Sequence, residues 1–96
     1  MINHKLEKLQ QGETIITCEK GNSMLPLIKS IQNHKLSPAT VDDVEVGDIV
    51  YCKVRGKFYT HLVKAKDNIK GCLIGNNRGH INGWTKQIYG KVIDIF

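Results

Sequence analysis

Ser23 and His61 are the two side chains whose types could combine in nucleophilic and acid–base chemistry. A serine hydroxyl attacks only when a base removes its proton, and a neutral imidazole can do that near neutral pH. Ser23 stands in Gly21-Asn22-Ser23-Met24-Leu25-Pro26, where glycine and asparagine tolerate positive φ and Pro26 lacks an amide donor. A tight connection with an exposed Ser23 amide is expected. Spacing alone leaves two plainer readings open, a turn serine bonded to its own backbone and a histidine satisfied in the core. Other chemistry is poorly served. His4, His34, His61 and His80 match no local metal-ligand spacing, and Cys18, Cys52 and Cys72 form no Cys-x-x-Cys pair. The cysteines are expected to be buried small hydrophobes, with no metal and no cofactor. No glycine-rich loop followed by lysine and serine or threonine opens a helix, which excludes the common nucleotide-binding loop.

The elements that would carry these residues are short. Leu6 and Leu9 predict an amphipathic helix over Asn3–Gln11 that ends at Gly12, and β-branched Thr14–Cys18 predicts a strand leading into the serine turn. Leu27, Ile28 and Ile31 suggest a turn of helix, and Asn33–Thr40 reads as a polar loop. Asp48–Val54 and Phe58–Ala65 are strand-like runs whose connection, Arg55-Gly56-Lys57, forces antiparallel pairing. Period-two alternation puts Tyr59, His61, Val63 and Ala65 on one face and Phe58, Thr60, Leu62 and Lys64 on the other. Ile69–Ile74 follows the Asp67-Asn68 turn as another strand, and Ile88–Phe96 is the last. Between them, Gly75–Gly83 reads as a compact glycine- and asparagine-rich loop under Trp84, with Asn76, Asn77 and Asn82 as candidate contacts to a substrate or to His61. The fold class is mostly β, a coiled, largely antiparallel sheet or partial barrel.

The order Gly21-Asn22-Ser23-Met24-Leu25-Pro26, Val46-Gly47-Asp48-Ile49-Val50, Phe58-Tyr59-Thr60-His61-Leu62-Val63, Ile74-Gly75-Asn76-Asn77 and Tyr89-Gly90-Lys91-Val92-Ile93 resembles the clan of LexA-type self-cleaving repressors and type I signal peptidases. The resemblance spans roughly Cys18–Phe96. It implies a single peptidase-like domain over 1–96, with a helical segment at 1–12 and a β core at 13–96. It also implies Ser23 as nucleophile and His61 as general base, the histidine type of the endoplasmic-reticulum signal peptidases replacing the more common lysine. The oxyanion and substrate would be met around Gly21, Asn22, Met24 and Pro26, with the Ser23 amide as donor. Two departures stand out. Gly21 replaces a serine found in many signal peptidases, and Gly75-Asn76-Asn77-Arg78-Gly79-His80-Ile81-Asn82 lacks the aspartates of the usual Gly-Asp-Asn-Asn stretch and of the Asp that follows it. Orientation of His61 then falls to Asn76, Asn82 or a carboxylate from elsewhere.

Ninety-six residues, 41% hydrophobic and 24% charged, predict one small domain. No apolar run approaches the roughly 20 residues of a membrane span, and the first residues are polar rather than a secretory signal. A cytoplasmic chain without a membrane anchor is therefore expected. The net charge of +5 is uneven: residues 1–48 hold 5 Lys and 7 acids, residues 49–96 hold 9 Lys/Arg and 2 acids. Scattered lysines on strand edges read first as a solvated face, and second as a surface for an acidic partner. Three functions follow. The first is a serine peptidase acting on a peptide bond of another protein through Ser23 and His61. The second is a catalytically degenerate member kept as an interaction or inhibitor module, and the third a small basic nucleic-acid-binding β domain. A free-standing chain of this size suggests a phage or mobile-element product, and pairing of two copies through the last strand is left open.

Overall fold

The protein is described here by a computed structural model covering residues 3–18 and 32–96. The Gly21–Pro26 turn and the helical turn expected at Leu27, Ile28 and Ile31 lie outside those residues.

Helix α1, His4–Gln10, begins where the Asn3 side chain accepts the Leu6 amide at 3.0 Å, which satisfies one of the free donors of the first turn. Its Leu9 is buried against Leu36 and Tyr51. Seven strands follow: β1 Ile15–Cys18, β2 Asn33–Pro38, β3 Ile49–Val54, β4 Lys57–Asp67, β5 Gly71–Gly75, β6 Ile81–Thr85 and β7 Ile88–Ile95. They form one antiparallel sheet in the order β1-β2-β7-β3-β4-β5-β6, not closed into a barrel. This is the mostly β, coiled antiparallel architecture expected, with its short N-terminal helix. Register shifts interrupt four of the six ladders, at Lys35/Leu36, Tyr51/Cys52, Val63/Ala65 and Ile74/Gly75. Each inserts extra residues on one strand and increases the local twist, which is what coils so small a sheet.

The two faces of the sheet build separate cores. Val50, Cys52, Val54, Val63, Cys72, Ile74 and Ile88 pack together with Ala39 and Val44 of the β2–β3 connection. The opposite face places Leu36 and Tyr51 under α1, and Ile49 beside Leu62. Full burial of side chains such as Leu36, Ile74, Val50 and Val63 contributes roughly 1.5–3 kcal/mol each. The β3–β4 hairpin turns in two residues, Arg55 (φ 50°) and Gly56 (φ 82°). Positive φ at both positions gives the tight turn whose twist matches the flanking strands. At the other end of β4, the Asp67 carboxylate accepts the amides of Ile69 and Lys70, each at 2.8 Å, and these bonds hold its pKa below the ordinary value.

Five expectations are corrected. Asn33–Thr40 is not a polar loop: its first six residues are β2, an interior strand. His34 and Leu36 alternate inward with exposures of 1% and 0% among polar residues. Polar composition hid a strand whose register is set by two buried positions. The loop expected at Gly75–Gly83 is shorter, because Ile81–Thr85 pairs with β5, and Trp84 faces outward rather than covering the loop. Ile69, expected to begin a strand, lies in the β4–β5 turn and is 79% exposed. Ala65 leaves the His61 face, since the bulge takes the pairing from Val63↔Ile74 to Ala65↔Leu73. Cys18 is exposed, whereas Cys52 and Cys72 are buried as expected.

Candidate functional site

His61 is fixed by its strand before any side chain touches it. It stands opposite Val50 in the β3–β4 ladder and is 8% exposed. Two residues on, Val63 donates its amide to the Asp48 carbonyl and accepts the Gly47 amide, both at 2.9 Å. The Val46-Gly47-Asp48 segment is thereby bonded to the strand that carries His61. Asp48 itself is occupied structurally: its carboxylate accepts the Glu45 amide at 2.8 Å and meets Lys91 Nζ at 3.3 Å.

Among the described residues, two side chains meet the imidazole. The Tyr59 ring, two residues earlier on the same face, stacks on it with centroids 5.0 Å apart and planes at 29°. Asn82 Oδ1 lies 2.7 Å from His61 Nδ1. An amide oxygen only accepts, so the proton in this bond is carried by Nδ1 of the ring.

Asn82 reaches His61 because β6 is bulged. Ile74 pairs with Gly83 and Gly75 with Ile81, so Asn82 is an extra residue on β6. The bulge sends Asn82 to the inner face of the sheet, where Ile74 and His61 lie, although Ile81 and Trp84 on either side of it point outward. Gly75 allows the close approach. A Cβ there would sit 2.6 Å from the His80 carbonyl oxygen and 3.1 Å from Lys64 Cε.

The other asparagines are placed differently. Asn76 Oδ1 accepts the amides of Arg78 at 2.8 Å and His80 at 3.0 Å, so its side chain builds the loop rather than orienting His61. Asn77 is half-buried at the start of the same loop. Ser23, Gly21, Asn22, Met24 and Pro26 lie outside the described residues. Tyr59 was missed as a site residue, and the signal was available in its period-two alternation with His61. Among the described residues, no three His, Cys, Asp or Glu side chains cluster as a metal site would require, and no helix is long and apolar enough to cross a membrane. Comparison with family models, with curated proteins and with solved structures gave no match.

Proposed function

We propose that this chain is a serine peptidase-like protein that cleaves a peptide bond in another protein, with Ser23 as nucleophile and His61 as base. The observation that carries this reading is the 2.7 Å bond from His61 Nδ1 to Asn82 Oδ1 on a buried, ring-stacked histidine. It keeps a proton on Nδ1, as a base acting through Nε2 needs. In the reaction, Nε2 would take the Ser23 hydroxyl proton as Oγ attacks the substrate carbonyl, and would return it to the leaving amine. The Ser23 amide would bind the oxyanion. Asn82 holds the ring through these steps but contributes no negative charge to the imidazolium, as in peptidases that place asparagine behind histidine.

The same amide favours a second reading. Loss of the charged partner lowers rates by orders of magnitude in related arrangements, and suits a degenerate member kept as an interaction or inhibitor module. Reaction with a fluorophosphonate followed by mass spectrometry separates the two. Labelling at Ser23 in the intact chain, lost in His61→Ala, is expected of the peptidase. An unlabelled Ser23 in a folded chain overturns it. Cytoplasmic location and a phage or mobile-element origin accompany this reading and rest on the sequence alone.

A further inference from the structure

Among the described residues, β6 pairs only with β5 and ends the sheet. An edge strand presents a row of main-chain donors and acceptors, which proteins usually guard with charges, proline, strand brevity or bulges, of which β6 has only the bulge at Asn82. β6 reads Ile-Asn-Gly-Trp-Thr, without charge or proline, and exposes Ile81 at 47% and Trp84 at 38%. Both side chains lie on the outer face, because the Asn82 bulge restores them to the same side three residues apart. Basic side chains outnumber acidic ones around them, with Asp67 beside Lys70 as the nearby carboxylate. From Asn68 to Ile93 the sequence contains no carboxylate. Lys70 Nζ stands 5.4 Å over the Trp84 ring, the Arg55 guanidinium lies against Gly83, and Arg78 is exposed in the adjoining loop.

We propose that the open edge of β6 is a docking strand for an extended acidic peptide segment, which joins the sheet as a further strand. Main-chain bonding gives such complexes their affinity, and side chains pointing alternately up and down give selectivity. Here alternate residues of the partner would meet Ile81 and Trp84, and its carboxylates would meet Lys70, Arg55 and Arg78. A single-stranded nucleic acid fits less well. It requires several accessible rings for stacking, whereas Tyr51 is 5% exposed and the Trp84 face is already capped by Lys70. Docking on the main chain of β6 does not depend on hydrolysis at His61.

Trp84 is the single tryptophan of the chain, so its fluorescence reports occupancy of this edge. The probe is an acetylated, amidated octapeptide of alternating Glu and Val, titrated into the full chain carrying Ser23→Ala. A saturable change in Trp84 emission is expected, with slowed amide exchange along β6. Binding is expected to weaken roughly fivefold in Lys70→Glu, and to be lost when alternate peptide amides are N-methylated. Ile81→Glu, an exposed substitution that leaves Trp84 in place, is expected to abolish the change while the thermal transition persists. The proposal is overturned by no saturable change, by an equal response to a Lys-Val octapeptide, or by a response to oligo(dT) alone.

Discussion

At the residue scale, the decisive contact is between an imidazole and an amide 21 positions apart. If Asn82 Oδ1 fixes the His61 tautomer, Asn82→Ala releases it. Nitrogen-detected NMR is expected to show a single Nδ1–H tautomer in the native chain and a mixture in the variant. The rate of Ser23 labelling should fall about tenfold or more in the same variant, part of the roughly 10²–10⁴-fold that a positioned base supplies. Asn82→Asp restores a carboxylate behind the ring, and the labelling rate is expected to rise above that of the native chain. Unchanged labelling rates in folded Asn82→Ala and Asn82→Asp proteins would remove Asn82 from the chemistry. His61 was visible in the sequence because an alternating strand with a short turn fixes which way it points. Three asparagines were equally eligible to orient it. The choice was made by a bulge, and a bulge leaves no periodic mark in a five-residue strand.

At the element scale, turns and close approaches decide which strands form. Arg55 occupies a left-handed position that costs a side chain about 1–2 kcal/mol and that asparagine accepts more readily. Arg55→Asn is therefore expected to raise stability by on the order of 0.5–1 kcal/mol, read as a higher urea midpoint at unchanged slope. Gly75→Ala works in the opposite direction. Its Cβ meets a backbone carbonyl rather than a flexible side chain, so the loop at 76–80 must move. A loss of roughly 1–3 kcal/mol is expected, together with loss of the single His61 tautomer, because the displaced loop leads directly into Asn82. The β3–β4 hairpin was legible for the converse reason: two strand-forming runs and the short Arg-Gly turn between them agree with one another. β2 was not, since Asn33, Lys35 and Ser37 are poor strand formers and the strand exists through its pairing with β1 and β7. β6 was hidden by glycine and asparagine, residues that signal loops in a sequence and here serve a bulge.

At the scale of the whole molecule, the inner core is where local choices become one cooperative unit, and its cysteines make that unit measurable. Cys52 and Cys72 are both fully buried in it, and burial, with the neighbouring Cys72 second, pushes the Cys52 thiol from 9.0 up to about 12. Folding therefore favours the neutral thiol. Below pH 9 both folded and unfolded chains keep the proton, and the associated stability is fully present. Above pH 9 the unfolded chain ionises while the folded chain does not, so stability falls progressively as pH approaches 12. Each pH unit inside that window is worth about 1.4 kcal/mol. Between pH 9 and 10.5 the native chain is expected to lose roughly 2 kcal/mol more than Cys52→Ala, read from urea denaturation of both proteins. Parallel losses in the two would show that the thiol does not contribute. The same packing predicts the alkylation pattern. Exposed Cys18 should react with iodoacetamide in the folded state, and Cys52 and Cys72 should react together only when the sheet opens. Reaction of the buried pair at a rate matching global unfolding would identify the inner core as the last part of the sheet to come apart. Faster reaction of Cys72 alone would instead place a local opening at β5, between the strand that carries His61 and the strand that orients it.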